Sequence, residues 1–156
     1  MDKMYENDVI GFGLNGRAVQ SGAAGHQRLS VVLREELGAK EVKIGCNAGD
    51  CGACTVLVDG EPVCACLMPV AQAEGRTVQT LKGVSPDILT RLQKSFAAHQ
   101  AAQCGICTPG MLVSAAALLE RVPEPDESDV KDALGGVLCR CTGYRKIIDA
   151  VVAVGA

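Results

Sequence analysis

Eight of the nine cysteines in this chain fall into two separate sets of four. The first set has the spacing C-x4-C-x2-C with a fourth cysteine further along, which is the plant-type arrangement of thiolate ligands for a [2Fe–2S] cluster. It comprises Cys46, Cys51, Cys54 and Cys66. The second set has a C-x2-C pair and a later C-x-C pair, and comprises Cys104, Cys107, Cys139 and Cys141. Two such sets in one short chain indicate an electron relay rather than one stabilising metal.

The residues between the first cysteines suit a cluster better than a single zinc ion. Iron–sulfur clusters need backbone N–H groups directed at the sulfurs, and the glycines and alanines of segment 45–54 let the main chain close around such a group. Zinc sites typically combine two C-x2-C pairs, whereas this segment has a third cysteine five residues before its C-x2-C pair. The second set is less specific, because its spacing also suits zinc, and thiolates can bind copper. The presence of the first set favours an iron–sulfur cluster at the second set as well.

Composition narrows the class of protein. The chain is 48% hydrophobic and 21% charged, which is typical of a globular protein of one or two domains. Its net charge of −3 provides no basic patch for nucleic acid. We expect no membrane span and no secretory signal, since no long apolar run occurs and the start is polar. Nine cysteines without a signal favour a reducing, cytoplasmic location and metal ligation over four disulfides.

Residues 1–82 are predicted to form an α+β domain of the β-grasp, plant-type ferredoxin-like kind. Alternating apolar residues over 10–14 predict a strand, and Asn15–Gly16 predicts the hairpin turn that follows. Apolar residues at helical spacing over 29–37, followed by Gly38, predict one helix. The other predicted strands span residues 42–44, 55–58, 63–67 and 77–81.

Residues 86–156 are predicted to form an all-α, four-helix-bundle [2Fe–2S] domain after a short linker. Helix starts are indicated by Ser85–Pro86, Thr108–Pro109, Asp126 and Thr142. Short connections favour an up-down-up-down arrangement. The two cysteine pairs of the second set then lie in the first and third connections, which are at the same end of such a bundle. The topology therefore predicts that these four thiols converge.

Three segments resemble the iron–sulfur small subunit of the xanthine oxidase family of molybdenum hydroxylases. They are CNAGDCGACTV at 46–56, AQCGICTPG at 102–110 and LCRCTGY at 138–144. The resemblance extends from about Val9 to Val152, which is nearly the whole chain. It agrees with the fold predicted above from the residues.

This resemblance implies an electron-transfer subunit of a molybdenum-dependent oxidoreductase, and no catalytic residue set stands out in the chain itself. In the family a large subunit holds molybdenum on a pterin, usually as the cytosine dinucleotide in bacteria, and a medium subunit often holds FAD. Electrons leave molybdenum through both clusters to FAD or an external acceptor. By likeness, Gln103 and Cys141 would lie beside the pterin, with Cys141 also binding iron. The residues that would line the first cluster through their backbone are Gly45, Gly49, Asp50 and Gly52.

Two departures from the family pattern concern local tuning. Gly135-Gly136-Val137 replaces the commoner Ser-Gly-Asn before Cys139, which removes polar groups near the second set. Cys64, the ninth cysteine, stands where a small polar residue is more usual. It is interpreted either as a small packing thiol near the first set or as an alternative ligand or redox-sensitive thiol.

Other functions stay open on sequence alone. A free-standing two-cluster ferredoxin is the main alternative, although a net charge of −3 is weak for electrostatic steering of partners. A zinc-stabilised interaction module would require that iron be absent. In relatives the substrates include aldehydes, N-heterocycles, carbon monoxide and aromatic acyl-CoA esters, and the residues that select them lie on the large subunit.

Overall fold

The computed structural model describes residues 9–155. Its first half contains one mixed five-stranded sheet with the strand order β2-β1-β5-β3-β4. Strand β1 pairs in parallel with β5, and the other neighbours are antiparallel. The strands are β1 (Ile10–Leu14), β2 (Arg17–Ser21), β3 (Thr55–Val58), β4 (Glu61–Cys64) and β5 (Thr77–Gln79).

Two tight turns fix the register of the antiparallel hairpins. Asn15 and Gly16 join β1 to β2 with φ angles of 51° and 79°. Asp59 and Gly60 join β3 to β4 with φ angles of 51° and 84°. Two consecutive positive φ angles give the turn a twist that matches the strands, so the Asn-Gly prediction is confirmed.

One short helix, α1, packs on the sheet and leads toward the first cysteines. It begins as an α-turn at Leu29–Val31 and continues as a wider π-turn at Val32–Glu36. Its apolar side chains Leu29, Val32 and Leu33 are at most 1% exposed, and Gly38 follows with φ of 71°. The predicted helix is therefore present, with a different pitch in its second half.

The predicted strand at 42–44 is wrong. The chain there bends without a ladder partner, and the Arg34 side chain donates hydrogen bonds to the carbonyls of Lys40 and Val42. The predicted strand at 63–67 instead ends at Cys64, because the Leu67 N–H turns back to the Cys64 carbonyl. The strand predicted at 77–81 is likewise shorter, since a 3-10 turn begins at Leu81.

The second half contains four helices that form a bundle. Each helix packs against two of the others, in the cyclic order α2-α3-α4-α5. They are α2 (Pro86–Ala98), α3 (Thr108–Arg121), α4 (Glu127–Leu134) and α5 (Arg145–Gly155). The α+β ferredoxin-like and four-helix fold is thus confirmed. Among residues 9–155, no helix combines the length and apolarity that a membrane crossing needs.

The predicted helix starts hold with three differences, one of which is that Cys107, rather than Thr108, occupies the N-cap of α3. Asp126 caps α4 through a reciprocal capping box with Asp129, as its position indicated. Ser85 precedes α2 but its side chain makes no capping hydrogen bond. Thr142 does not cap α5, which begins only at Arg145 because Tyr144 has φ of 68° and lies outside the helix.

The two halves share a packed boundary. Ten consecutive residues of α3, from Gly110 to Leu119, are buried, because α3 contacts two helices on one side and strands β3 and β4 on the other. Leu57 of β3 belongs to the apolar core of the helical half. A separate core lies between α1 and the opposite face of the sheet. The cysteine loops are consequently held between rigid elements.

Candidate metal centres

The first four cysteines form two pairs of neighbouring thiols. The N–H groups of Cys46 and Cys51 each lie 3.3 Å from the other residue's sulfur, and the Cys66 N–H lies 3.4 Å from the Cys54 sulfur. Cys46 is exposed and Cys51 half-buried, whereas Cys54 and Cys66 are buried. The loop before β3 carries three of them, and the turn after β4 carries Cys66. The site therefore has an outer pair and an inner pair.

Backbone N–H groups surround the outer pair. Those of Ala48, Asp50 and Cys51 each lie 3.3 Å from the Cys46 sulfur, and the Cys46 N–H lies 3.3 Å from the Cys51 sulfur. The hydrogen bond from Ala48, followed by that from Cys51, lowers the pKa of the Cys46 thiol to about 6. A sulfur held in this way is ready to bind metal as a thiolate.

The inner pair lies in an apolar setting. Burial raises the pKa of the Cys54 thiol to about 12, while the Cys66 N–H, 3.4 Å from the Cys54 sulfur, opposes that effect. A metal bound here would displace the proton of the Cys54 thiol.

At three of the glycines proposed to line this site, a side chain would clash with neighbouring atoms. A Cβ on Gly45 would lie 2.7 Å from the Cys51 sulfur. Gly49 has φ of 85°, and a Cβ there would lie 2.5 Å from the Leu67 side chain. Gly52 has φ of 66°, and its Cβ would lie 2.0 Å from the Gly136 carbonyl oxygen. The loop thus folds tightly around the sulfurs and against the helical half.

The second four cysteines also pair. Cys104 lies beside Cys141 and Cys107 beside Cys139, so the loops before α3 and α5 converge as the bundle topology predicted. Cys104 and Cys141 are exposed, Cys107 is buried and Cys139 is half-buried. Burial raises the pKa of the Cys107 thiol to about 12. The hydrogen bond from the Ile106 N–H, followed by that with Cys141, lowers the pKa of Cys104.

Polar side chains hold the second site together. The exposed Gln103 amide donates to the Cys141 carbonyl at 3.1 Å, which joins the two loops. The Tyr144 hydroxyl accepts from the Cys139 N–H at 2.9 Å, and the Thr142 hydroxyl lies 3.0 Å from the Cys139 sulfur. Sequence analysis missed these roles, since it assigned Thr142 and Tyr144 to helix α5.

The two sites are joined by a backbone hydrogen bond. The Leu138 N–H donates to the Cys51 carbonyl at 2.8 Å, and Leu138 is bonded directly to Cys139. Beside it, a Cβ on Gly110 would lie 2.7 Å from the Gly52 carbonyl oxygen. The segment 51–53 is thus packed against 136–138. No sequence pattern indicated this contact, because it joins residues far apart in the chain.

These arrangements fit dinuclear clusters. Each iron of a [2Fe–2S] cluster takes two protein ligands, and each set presents two pairs of thiols with N–H groups directed at sulfur. The pairs 46/51, 54/66, 104/141 and 107/139 would supply two thiolate ligands for each of four irons.

Comparison with protein families divides the chain into two matched regions. Residues 12–80 match the 2Fe-2S iron-sulfur cluster binding domain. Residues 77–152 match a second family described as the [2Fe-2S] binding domain. Both matches agree with the two cysteine sets.

Individual relatives match over nearly the full chain. The nicotinate dehydrogenase small FeS subunit of Eubacterium barkeri is 46% identical over 144 residues, covering 92% of each chain. The nicotine 6-hydroxylase small subunit of Paenarthrobacter nicotinovorans is 44% identical, over 89% of this chain and 84% of its own. Among solved structures, quinoline 2-oxidoreductase from Pseudomonas putida 86 superposes with a TM-score of 0.88 at 42% identity, over 94% of this chain and 91% of that one.

Proposed function

The chain belongs to the [2Fe–2S] small subunits of the xanthine oxidase family of molybdenum hydroxylases, and from this premise we propose how it carries electrons. It is an electron-transfer subunit and works with a large catalytic subunit. We propose that it passes electrons from a molybdenum–pterin site on that partner, through two clusters, to FAD on a medium subunit or to an external acceptor.

The proposed ligands are the eight paired cysteines. Cys46, Cys51, Cys54 and Cys66 would hold one cluster in residues 1–82, and Cys104, Cys107, Cys139 and Cys141 the other in residues 86–156. Each cluster, when bound, supplies a site that accepts and releases one electron. Gly45, Gly49, Asp50 and Gly52 would keep the main chain close to the first cluster. The thiol pairs and their N–H donors support this assignment.

The observation that carries the relay is the hydrogen bond between the Leu138 N–H and the Cys51 carbonyl, 2.8 Å long. It joins a proposed ligand of one cluster to the residue bonded to a proposed ligand of the other. The path runs from the Cys51 sulfur through the Cys51 side chain and carbonyl, across one hydrogen bond, and through the Leu138 backbone to the Cys139 side chain. Its place at the packed boundary of the two halves keeps its length fixed.

Exposure indicates where electrons enter and leave. At the second site Cys104, Cys141 and Gln103 are exposed together, and Ile106 beside them is 48% exposed. We propose that this face contacts the pterin, in its cytosine dinucleotide form, with Gln103 and Cys141 nearest to it. At the first site Cys46 is exposed, and this side of the molecule is the proposed exit toward FAD or another acceptor. The many cysteines of the chain, interpreted as metal ligands, support a cytoplasmic location for the complex.

Removal of one proposed ligand tests the series order. In the native complex we expect about four irons per chain, two for each cluster. Cys104→Ser should lower this to about two, keep the signal of the first cluster in electron paramagnetic resonance (EPR) spectra and abolish turnover with the physiological acceptor. Undiminished turnover would contradict the relay, and iron without molybdenum or a stable partner would indicate a diffusing ferredoxin instead.

Loss of the linking N–H tests the path itself. Leu138→Pro removes the donor to Cys51, while Leu138→Ala retains it and changes only the side chain. With both clusters present, the proline variant should transfer electrons between them more slowly than the alanine variant, as followed by freeze-quench EPR after substrate addition. Nicotinate, quinoline and aldehydes are the first substrates to screen. Equal rates in the two variants would rule out this path.

A further inference from the structure

Arg28 joins the chain segment after Cys66 to the loop that carries Cys46. Its backbone, at the start of α1, forms an isolated antiparallel bridge with Pro69. Its exposed side chain reaches the other segment, where one guanidinium N–H group donates a hydrogen bond to the Asn47 carbonyl. One residue therefore links the segments of a buried and an exposed thiol.

The carbonyl that Arg28 binds belongs to a peptide group that also contacts a sulfur. The N–H of the same group, that of Ala48, lies 3.3 Å from the Cys46 sulfur. Because a trans peptide group is planar, its C=O and N–H point in opposite directions. An anchor on the Asn47 carbonyl therefore directs the Ala48 N–H at the Cys46 sulfur.

The backbone at Asn47 needs such an anchor. Asn47 has φ of 55°, in the left-handed region that a residue with a side chain adopts at a cost, although asparagine tolerates it better than most. A conformation of this kind persists where the surrounding contacts determine it. The hydrogen bond from Arg28 is one of these contacts, and it comes from outside the loop.

We propose that Arg28 is a positioning residue that raises the reduction potential of the first cluster by fixing and polarising the Asn47–Ala48 peptide group. Reduction adds negative charge to the cluster and its thiolates, so a well-directed N–H donor stabilises the reduced form more than the oxidised one. A guanidinium on the carbonyl strengthens the N–H as a donor, since linked hydrogen bonds polarise one another. The inference rests on the proposed role of Cys46 as an iron ligand.

A direct effect of the arginine charge on the cluster is the competing explanation. Arg28 is exposed, so water and salt weaken its field at the cluster. The peptide group, in contrast, transmits the effect through a hydrogen bond to the adjacent sulfur. The two routes differ in their dependence on salt, because the field of an exposed charge is screened and the direction of the N–H is not.

Three variants of the full chain in its native complex test this role. Arg28→Gln removes the charge and shortens the donor, whereas Arg28→Lys retains a charged donor. Arg17→Gln is the control, because it removes an exposed arginine from β2, at the opposite edge of the sheet from β4. The measurement is the reduction potential of each cluster by EPR-monitored redox titration at low and at high salt. Cys104→Ser identifies the signal of the first cluster, because it removes the other one.

The expected result is a potential shift confined to the first cluster. Arg28→Gln should make this cluster harder to reduce by up to about tenfold in the equilibrium constant, which is about 59 mV for a one-electron couple. The shift should persist at high salt, and Arg28→Lys should restore most of the lost potential. Arg17→Gln should leave both potentials unchanged.

Four outcomes would overturn the inference. They are an unchanged potential in Arg28→Gln, an equal shift in Arg17→Gln, a shift that disappears at high salt, and loss of the first-cluster signal in both Arg28 variants, which would assign Arg28 to assembly of the site alone. Failure of the proposed ligand set is distinguishable, since the first-cluster signal would then be missing from the wild-type complex.

Discussion

At the scale of single residues, each cysteine set combines an accessible pair of thiols with a sheltered pair. The lowered pKa of Cys46 and the raised pKa of Cys54 follow from N–H donors in one case and burial in the other. In the proposed ligand sets the sheltered pair would fix a metal group in the fold, while the accessible pair would leave an edge of it open to a partner.

Gly52 should tolerate no side chain. In Gly52→Ala the new Cβ would combine a left-handed backbone with a 2.0 Å approach to the Gly136 carbonyl oxygen, so the two halves must separate locally. We expect a loss of more than about 3 kcal/mol in the free energy of unfolding, together with reduced iron content. Chemical denaturation and iron analysis measure both.

The matched control is Gly75→Ala. Gly75 has a similar φ of 69° but no atom within 4 Å of the position of a Cβ. It should lose only about 1–2 kcal/mol from backbone strain and keep its iron. Equal losses in the two variants would show that strain alone, rather than the contact between halves, matters at Gly52.

At the scale of elements, a helix and a strand begin directly after cysteines. Helix α3 starts directly after Cys107, and strand β3 starts directly after Cys54. In both cases a buried element fixes one end of the loop, so the thiols vary little in position. Helix α4 contributes differently, since it packs against α3 and α5 and supports the loop that carries Cys139.

The capping box of α4 should be measurable. Asp126→Ala removes the side-chain oxygen that accepts from the Asp129 N–H at 2.9 Å and should lower the free energy of unfolding by about 1 kcal/mol. Ser85→Ala is the control, because Ser85 occupies the same position in α2 without a capping hydrogen bond, and should change stability by less than about 0.5 kcal/mol. A larger loss at Ser85 would contradict this assignment of caps.

At the scale of the whole molecule, the apolar cores contain little aromatic bulk, since only 3% of the residues are aromatic. Two proposed clusters that each tie distant segments together would supply stability the side chains do not. The same clusters lie at the boundary of the halves, so stability and electron transfer depend on the same contacts.

Removal of iron should therefore destabilise the fold. After anaerobic chelation we expect Tm, measured by circular dichroism, to fall by about 10 °C or more. Rebuilding the clusters with ferrous iron and sulfide should restore the original value. An iron-free chain that melts at the same temperature would show that the protein core suffices by itself.

The sequence determined the cluster chemistry and the order of elements. Cysteine spacing indicated [2Fe–2S] ligands, Asn15–Gly16 specified a hairpin, and Asp126 marked the start of α4, because each depends on residues close together in the chain. The predicted strand at 42–44 is wrong because the Arg34 side chain binds the Val42 carbonyl, which a ladder partner would otherwise use. Local propensity contains no information about such a partner.

Only the tertiary structure decided how the two halves meet. The hydrogen bond from Leu138 to Cys51 and the fit of Gly52 against Gly136 both join elements separated in the chain. Their existence depends on how α3 packs against β3 and β4, which spacing and periodicity do not specify. Two separate ligand sets could be identified in the sequence, but the path between them is a product of packing.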